Sequence, residues 1–97
     1  MFFKKRPALV LKTIPKYNDL LVCGISSQLN SAIEGLDIVV KSNTNEFRQT
    51  GLHKDSVFRI SYILIIPLNF IEGKIGSITE GTYNLIIERL CCFLKPV

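Results

Sequence analysis

A mainly β domain closed by one C-terminal helix is the fold this sequence predicts, and three patterns predict it. Apolar runs rich in β-branched residues recur at Ala8–Leu11, Leu20–Ile25, Asp37–Lys41 and Ser56–Ile66. Each is short and bounded by turn-forming residues, as strands are. Only the last segment changes period, with Tyr83, Ile86, Ile87, Leu90 and Leu94 falling on one helical face. At 97 residues and 47% hydrophobic, the chain fits one domain over residues 1–97, with enough apolar side chain for a core and a surplus beyond it.

The elements follow in order. Pro7 opens the first strand, where a missing N–H breaks no ladder bond. Pro15, Lys16, Asn18 and Asp19 form a polar turn, so the strands on either side of it are hairpin partners or close neighbours. Asn30–Gly35 reads as a loop, Asp37–Lys41 as a short strand, and Ser42–Gly51 as a polar, turn-rich connection. Ser56–Ile66 is the strongest strand. Its front half alternates, with Arg59 and Ser61 interleaved, and its back half reads as buried on both faces. Lys74–Ile78 is a further short extended piece. Thr79 offers an N-cap with Glu80 in the first turn, and Pro96 lies just past the helix end. One small, strongly curled sheet with the helix closing one side satisfies these pieces.

The net charge of +4 is unevenly placed, because Lys4, Lys5, Arg6, Lys12 and Lys16 all precede the first acid, Asp19. A basic end suits a polyanion such as RNA or an acidic peptide, and it equally suits a solvated tail. Three cysteines leave an odd thiol, and one histidine with no Cys-x-x-Cys gives no zinc pattern, so no metal and no cofactor is expected. The thiols fit a reducing cytoplasm, with Cys23 as a small core residue. No apolar run reaches the length needed for a bilayer span, so no membrane partner is expected. The apolar surplus suggests a buried partner surface, most simply a homodimer.

Several side chains carry two readings. Arg6, stiffened by the following Pro7, can fork onto phosphate oxygens or stand solvated beside Lys4 and Lys5. Ser26, Ser27 and Gln28 end a strand in two hydroxyls and an amide, able to bond a phosphate or a base edge or simply to make a hydrophilic strand end. Asp55 reads as an ordinary turn or cap residue, and His53 as an exposed turn residue. Phe2, Phe3 and Tyr17 lie among the basic residues, where they could stack bases or pack.

Three segments set in order carry a resemblance. Lys5-Arg6-Pro7-Ala8-Leu9-Val10-Leu11, Gly24-Ile25-Ser26-Ser27-Gln28 and Gly51-Leu52-His53-Lys54-Asp55-Ser56-Val57, followed by Lys74-Ile75-Gly76 and the amphipathic helix, resemble the MazF/PemK family of toxin endoribonucleases. The resemblance implies a small SH3-like barrel, usually homodimeric. It also implies metal-independent, sequence-specific cleavage of single-stranded mRNA by 2′-hydroxyl attack, and a cognate antitoxin laid over the RNA groove. By position, Arg6 matches the family's catalytic arginine and Ser26 its phosphate-binding hydroxyl. Lys4, Lys5, Ser27, Gln28 and His53 are the candidate RNA-binding residues. The family normally opens with a further apolar strand ahead of the Arg-Pro motif, and only Met1–Lys4 stand there. The expectation is therefore an open sheet edge and a chain of reduced stability in isolation. The alternative is a shortened, inactive member that binds antitoxin or RNA without cutting.

Overall fold

The computed structural model describes residues 6–96. Four strands, β1 (Ala8–Ile14), β2 (Asp19–Ser26), β3 (Ile38–Val40) and β4 (Ser56–Pro67), form one antiparallel sheet in the order β1-β2-β4-β3. Two helices, α1 (Asn45–Thr50) and α2 (Glu80–Leu94), complete the fold, with single 3-10 turns at Leu29–Ser31 and Leu68–Phe70. The predicted class is the observed one: a curled antiparallel half-barrel with a C-terminal helix.

The β1–β2 hairpin turns where the sequence places Pro15, Lys16 and Asn18. Lys16 (φ 79°) and Asn18 (φ 56°) both sit in the left-handed region, which Asn tolerates better than Lys. The ladder runs from Ile14–Asp19 to Ala8–Gly24, with a bulge between Val10 and Lys12. That bulge and the exposed Lys12 lie on an outer strand, where both devices discourage edge-to-edge pairing.

β4 is the spine of the sheet, pairing with β2 along its length and with β3 only at Ser56–Phe58. This explains a departure from the sequence reading. The back half of β4 is not buried on both faces: Tyr62, Leu64 and Ile65 are 50%, 43% and 61% exposed. Past Phe58 no strand among the described residues flanks β4 on that side, so its apolar run outlasts its cover. A bulge in β4 adds curl: Cys23 pairs with Ile63 but its neighbour Gly24 pairs with Arg59, leaving Ile60, Ser61 and Tyr62 without partners on β2.

The core lies between the concave face and α2. Leu11, Cys23, Phe58 and Ile60 from the sheet meet Ile86 from the helix, with Leu36 and Val40 beside them. Ile86 is fully buried, a burial that contributes about 1.5–3 kcal/mol. Thr79 caps α2 as expected, its hydroxyl oxygen accepting from the Thr82 N–H at 3.2 Å. The Tyr83 hydroxyl donates to the Leu11 carbonyl at 3.0 Å and ties helix to edge strand. Leu94, predicted on the buried face, is 67% exposed, because the last helical turn lies beyond the core cluster.

The Ser42–Gly51 connection contains a helix that the sequence reading did not anticipate. α1 has one apolar residue, Phe47, and six residues are too few to display a period. Its ends are nevertheless legible: extended Thr44 stands before it and left-handed Gly51 (φ 72°) after it. The 74–78 segment forms no strand. Its backbone is held instead by α1, with the Ser77 N–H donating to the Gln49 carbonyl at 2.8 Å and the Gln49 amide to the Ser77 hydroxyl at 3.0 Å. A side chain at Gly51 would run into the Ile75 carbonyl, and one at Gly76 into the Thr50 carbonyl, so two glycines permit this contact.

Candidate functional site

An antiparallel sheet collects alternate chain ends at one edge. The start of β1, the end of β2, the start of β4 and the end of β3 all lie at the same end here. Arg6 stands just before β1, Ser26 closes β2 with Ser27 and Gln28 after it, and His53 lies in the turn leading into β4. The topology therefore brings five of the candidate residues, distant in sequence, to one end of the sheet. Lys4 and Lys5 fall outside the described residues.

Register refines the placement. Ala8 pairs with Gly24 in the last pair of the β1–β2 ladder; Arg6 stands two residues before Ala8 and Ser26 two residues after Gly24. Ser26 itself pairs with Val57. Arg6, Ser27 and Gln28 are exposed and Ser26 is half-buried. The Ser26 hydroxyl oxygen accepts from the Gln28 N–H at 3.0 Å, which folds the chain sharply after β2. The Gln28 carbonyl in turn accepts from the Ser31 N–H at 3.0 Å and the Ser31 hydroxyl at 2.6 Å. This turn uses the Ser26 oxygen as an acceptor and leaves its hydroxyl hydrogen without an acceptor among the described residues. His53 is exposed, as its turn position predicts.

Asp55 takes the structural role that the sequence favoured. Its Oδ1 accepts from the Ser42 N–H at 2.6 Å and its Oδ2 lies 4.0 Å from the Lys41 ammonium. The Ser42 backbone bond, with help from the Ser42 hydroxyl and Lys41, holds this carboxyl below its ordinary range. The exit of β3 is thereby pinned to the entry of β4, at the same end of the sheet as Ser26.

Two groups escaped the sequence reading. Asp37 is a buried carboxylate, 5% exposed, whose oxygens accept from the Ile33 N–H at 2.9 Å, the Ser61 N–H at 2.9 Å and the Ser61 hydroxyl at 3.1 Å. Its carbonyl accepts from Arg89 at 2.7 Å. It therefore holds the β4 bulge, a function no local pattern announces, since its partners lie up to 52 residues away in sequence. The second is Arg59, level with Ala8 and Gly24 across the sheet. It reads in sequence as a polar interruption of an apolar run. Burial raises the nearby Cys23 thiol to about 12, with the Asp37 charge adding to the rise, so Cys23 is a neutral core residue. Among the described residues no cluster of His, Cys, Asp and Glu is arranged to hold a metal, and no helix is long and apolar enough to cross a membrane.

A small curled antiparallel sheet, closed by one helix, defines the class as a compact β half-barrel. The family model of PemK-like, MazF-like toxins of type II toxin-antitoxin systems matches residues 3–94, and the chain belongs to that family. The match spans the Arg-Pro strand, the Ser26 turn, β4 and α2 together. No curated protein sequence matches the chain.

Proposed function

We propose that the chain is a metal-independent endoribonuclease, the toxin of a type II pair, cutting single-stranded mRNA in the cytoplasm at a short sequence. The observation that carries this reading is the convergence of Arg6, Ser26, Ser27, Gln28 and His53 at the end of the sheet where the β1–β2 ladder closes with Ala8 opposite Gly24. Attack of a ribose 2′-hydroxyl on the adjoining phosphorus forms the O2′–P bond as the P–O5′ bond breaks, leaving a 2′,3′-cyclic phosphate and a 5′-hydroxyl; the 2′ proton passes through water to the departing 5′ oxygen, and extra negative charge builds on the phosphate oxygens between the two events. A guanidinium stabilises that charge with two parallel hydrogen bonds and stays charged throughout. Arg6 takes this role, and the Ser26 hydroxyl donates to a second phosphate oxygen. Ser27, Gln28, His53, Lys4 and Lys5 hold the strand. Purified protein is expected to cut a long single-stranded RNA in EDTA at discrete positions, and Arg6→Ala to remove those cuts. Loss of cutting in EDTA with return on adding magnesium would reject the mechanism.

One observation favours a second reading. Arg6 offers a cation and the Ser26 hydroxyl, bonded among the described residues only to a backbone N–H, offers a donor; neither is a base for the 2′ proton. A chain that binds RNA or antitoxin without cutting would need no such base. In that case Arg6→Ala weakens binding and no cuts are seen in the parent protein.

Membership of the family implies an antitoxin partner. A homodimer is proposed for the apolar surplus: Ile65, Phe70 and Phe93 are 61%, 69% and 65% exposed. Sedimentation across a concentration series is expected to show a reversible dimer, and a concentration-independent monomer would reject it.

A further inference from the structure

Arg59 and Tyr62 are three residues apart on β4, and in an unbroken strand they would face opposite ways. The bulge at Ile60–Tyr62 changes that. The Arg59 guanidinium carbon lies 5.7 Å from the centre of the Tyr62 ring, within stacking range. The ring in turn lies against Gly24, where an added Cβ would meet Tyr62 Cδ1 at 3.2 Å. Gly24 pairs with both Ala8 and Arg59, two steps along β2 from Ser26. Side chains two apart on a strand share a face, so this pair continues the face that carries Ser26.

Three properties of the pair are not those of a settled structural contact. The Arg59 Nε is enclosed and finds no acceptor among the described residues. Tyr62 is half exposed, although Gly24 and the Arg59 guanidinium both approach its ring. No acidic side chain stands in the rows Ala8–Gly24–Arg59, Val10–Val22–Leu64 or Ser26–Val57. A guanidinium with no ion pair among the described residues, set over an aromatic ring that keeps exposed surface, fits a phosphodiester with a base beside it.

We propose that Arg59 and Tyr62 form a second RNA-holding element, with Tyr62 stacking one base of the single strand and Arg59 binding a phosphate next to it. The proposal rests on the RNA-binding reading of the Ser26 end of the sheet and extends it along the same face. Asp37 acts indirectly as a positioning residue, since its bonds to Ser61 hold the bulge that brings the two side chains together. Single-stranded RNA fits better than an acidic peptide. The exposed part of the Tyr62 ring offers a stacking surface that a base uses and a carboxylate does not.

The test measures binding of a short, uncleavable, fully 2′-O-methylated single-stranded RNA across a salt series. The proteins compared are the parent, Arg6→Ala, Arg59→Ala, Arg59→Lys, Tyr62→Ala and Tyr62→Phe. Tyr62→Ala and Arg59→Ala are each expected to weaken binding at least about fivefold. Arg59→Ala also lowers the salt slope by about 0.7, Arg59→Lys keeps the slope but loses affinity, and Tyr62→Phe stays close to the parent. Parent-like affinity and slope in Arg59→Ala and Tyr62→Ala, with Arg6→Ala weakened, would overturn this proposal and leave the Ser26 site standing. A parent protein that binds no RNA would overturn both. Loss of acidic-peptide binding alone in these variants would assign the face to a protein and overturn the proposal. A thiouridine-bearing RNA cross-linked to the unmutated protein gives an answer that does not depend on variant folding. Cross-links on Tyr62 support the proposal, and cross-links confined to other surfaces overturn it.

Discussion

Asp37 shows how one residue can decide geometry far from its place in the chain. A carboxylate taken out of water is costly unless its oxygens are bonded, and three donors meet this one. Removing it leaves the Ile33 and Ser61 N–H groups, both part-buried, without their acceptor and frees the β4 bulge. Asp37→Ala is expected to lower unfolding free energy by about 3 kcal/mol, read by urea denaturation. A loss below about 1 kcal/mol would mean that water replaces the carboxylate and that the bulge stands without it. Arg6 and Ser26 are the contrasting case. Their surroundings are exposed or half-exposed, so stability places little demand on their identity and function is free to choose it.

At the scale of elements, the strands and the long helix were legible and the connections were not. β1, β2, β4 and α2 announce themselves because a period of two or of 3.6 survives several repeats. α1 is too short to show a period, and the 74–78 segment is shaped by a backbone contact between parts of the chain far apart in sequence. That contact has its own test. Gly51 needs a positive φ and open space toward Ile75, so Gly51→Ala is expected to cost about 2 kcal/mol or more in a thermal or urea melt. An unchanged melt would show that the 74–78 segment is not anchored there. α1 also reaches α2: Glu46 Oε1 accepts from the Thr79 N–H at 3.2 Å and the Thr79 hydroxyl at 2.9 Å. Partial burial pushes the Glu46 carboxyl up, but hydrogen bonds from Thr82 and Thr79 outweigh it and set the group below its ordinary 4.5. A depressed carboxyl contributes stability above its unfolded value and loses it as pH falls through the folded one. The melting temperature is therefore expected to fall as pH drops below about 4.5, and Glu46→Gln to flatten that fall. An equally steep fall in the variant would assign it to other carboxyls.

For the whole molecule, the order of short motifs carried more than any one of them. The order is meaningful because an antiparallel sheet converts it into position. Segments at the start of β1, the end of β2 and the start of β4 must meet at one end, whatever lies between them. The candidate site was legible to that extent. Arg59 and Tyr62 were not, because a bulge overrode the parity rule by which strand faces are read from sequence. Among the described residues β1 is an outer strand and the back half of β4 lacks a neighbour on one side, which puts apolar surface at the periphery, as expected of a chain that associates. The central claim is that the Arg6 end of this sheet cuts RNA without metal. The most direct measurement is the cut pattern of a long single-stranded RNA incubated in EDTA with the parent protein and with Arg6→Ala, both shown by circular dichroism to be folded. Discrete cuts present in the first and absent in the second are the predicted result; identical cuts from both proteins would contradict the account.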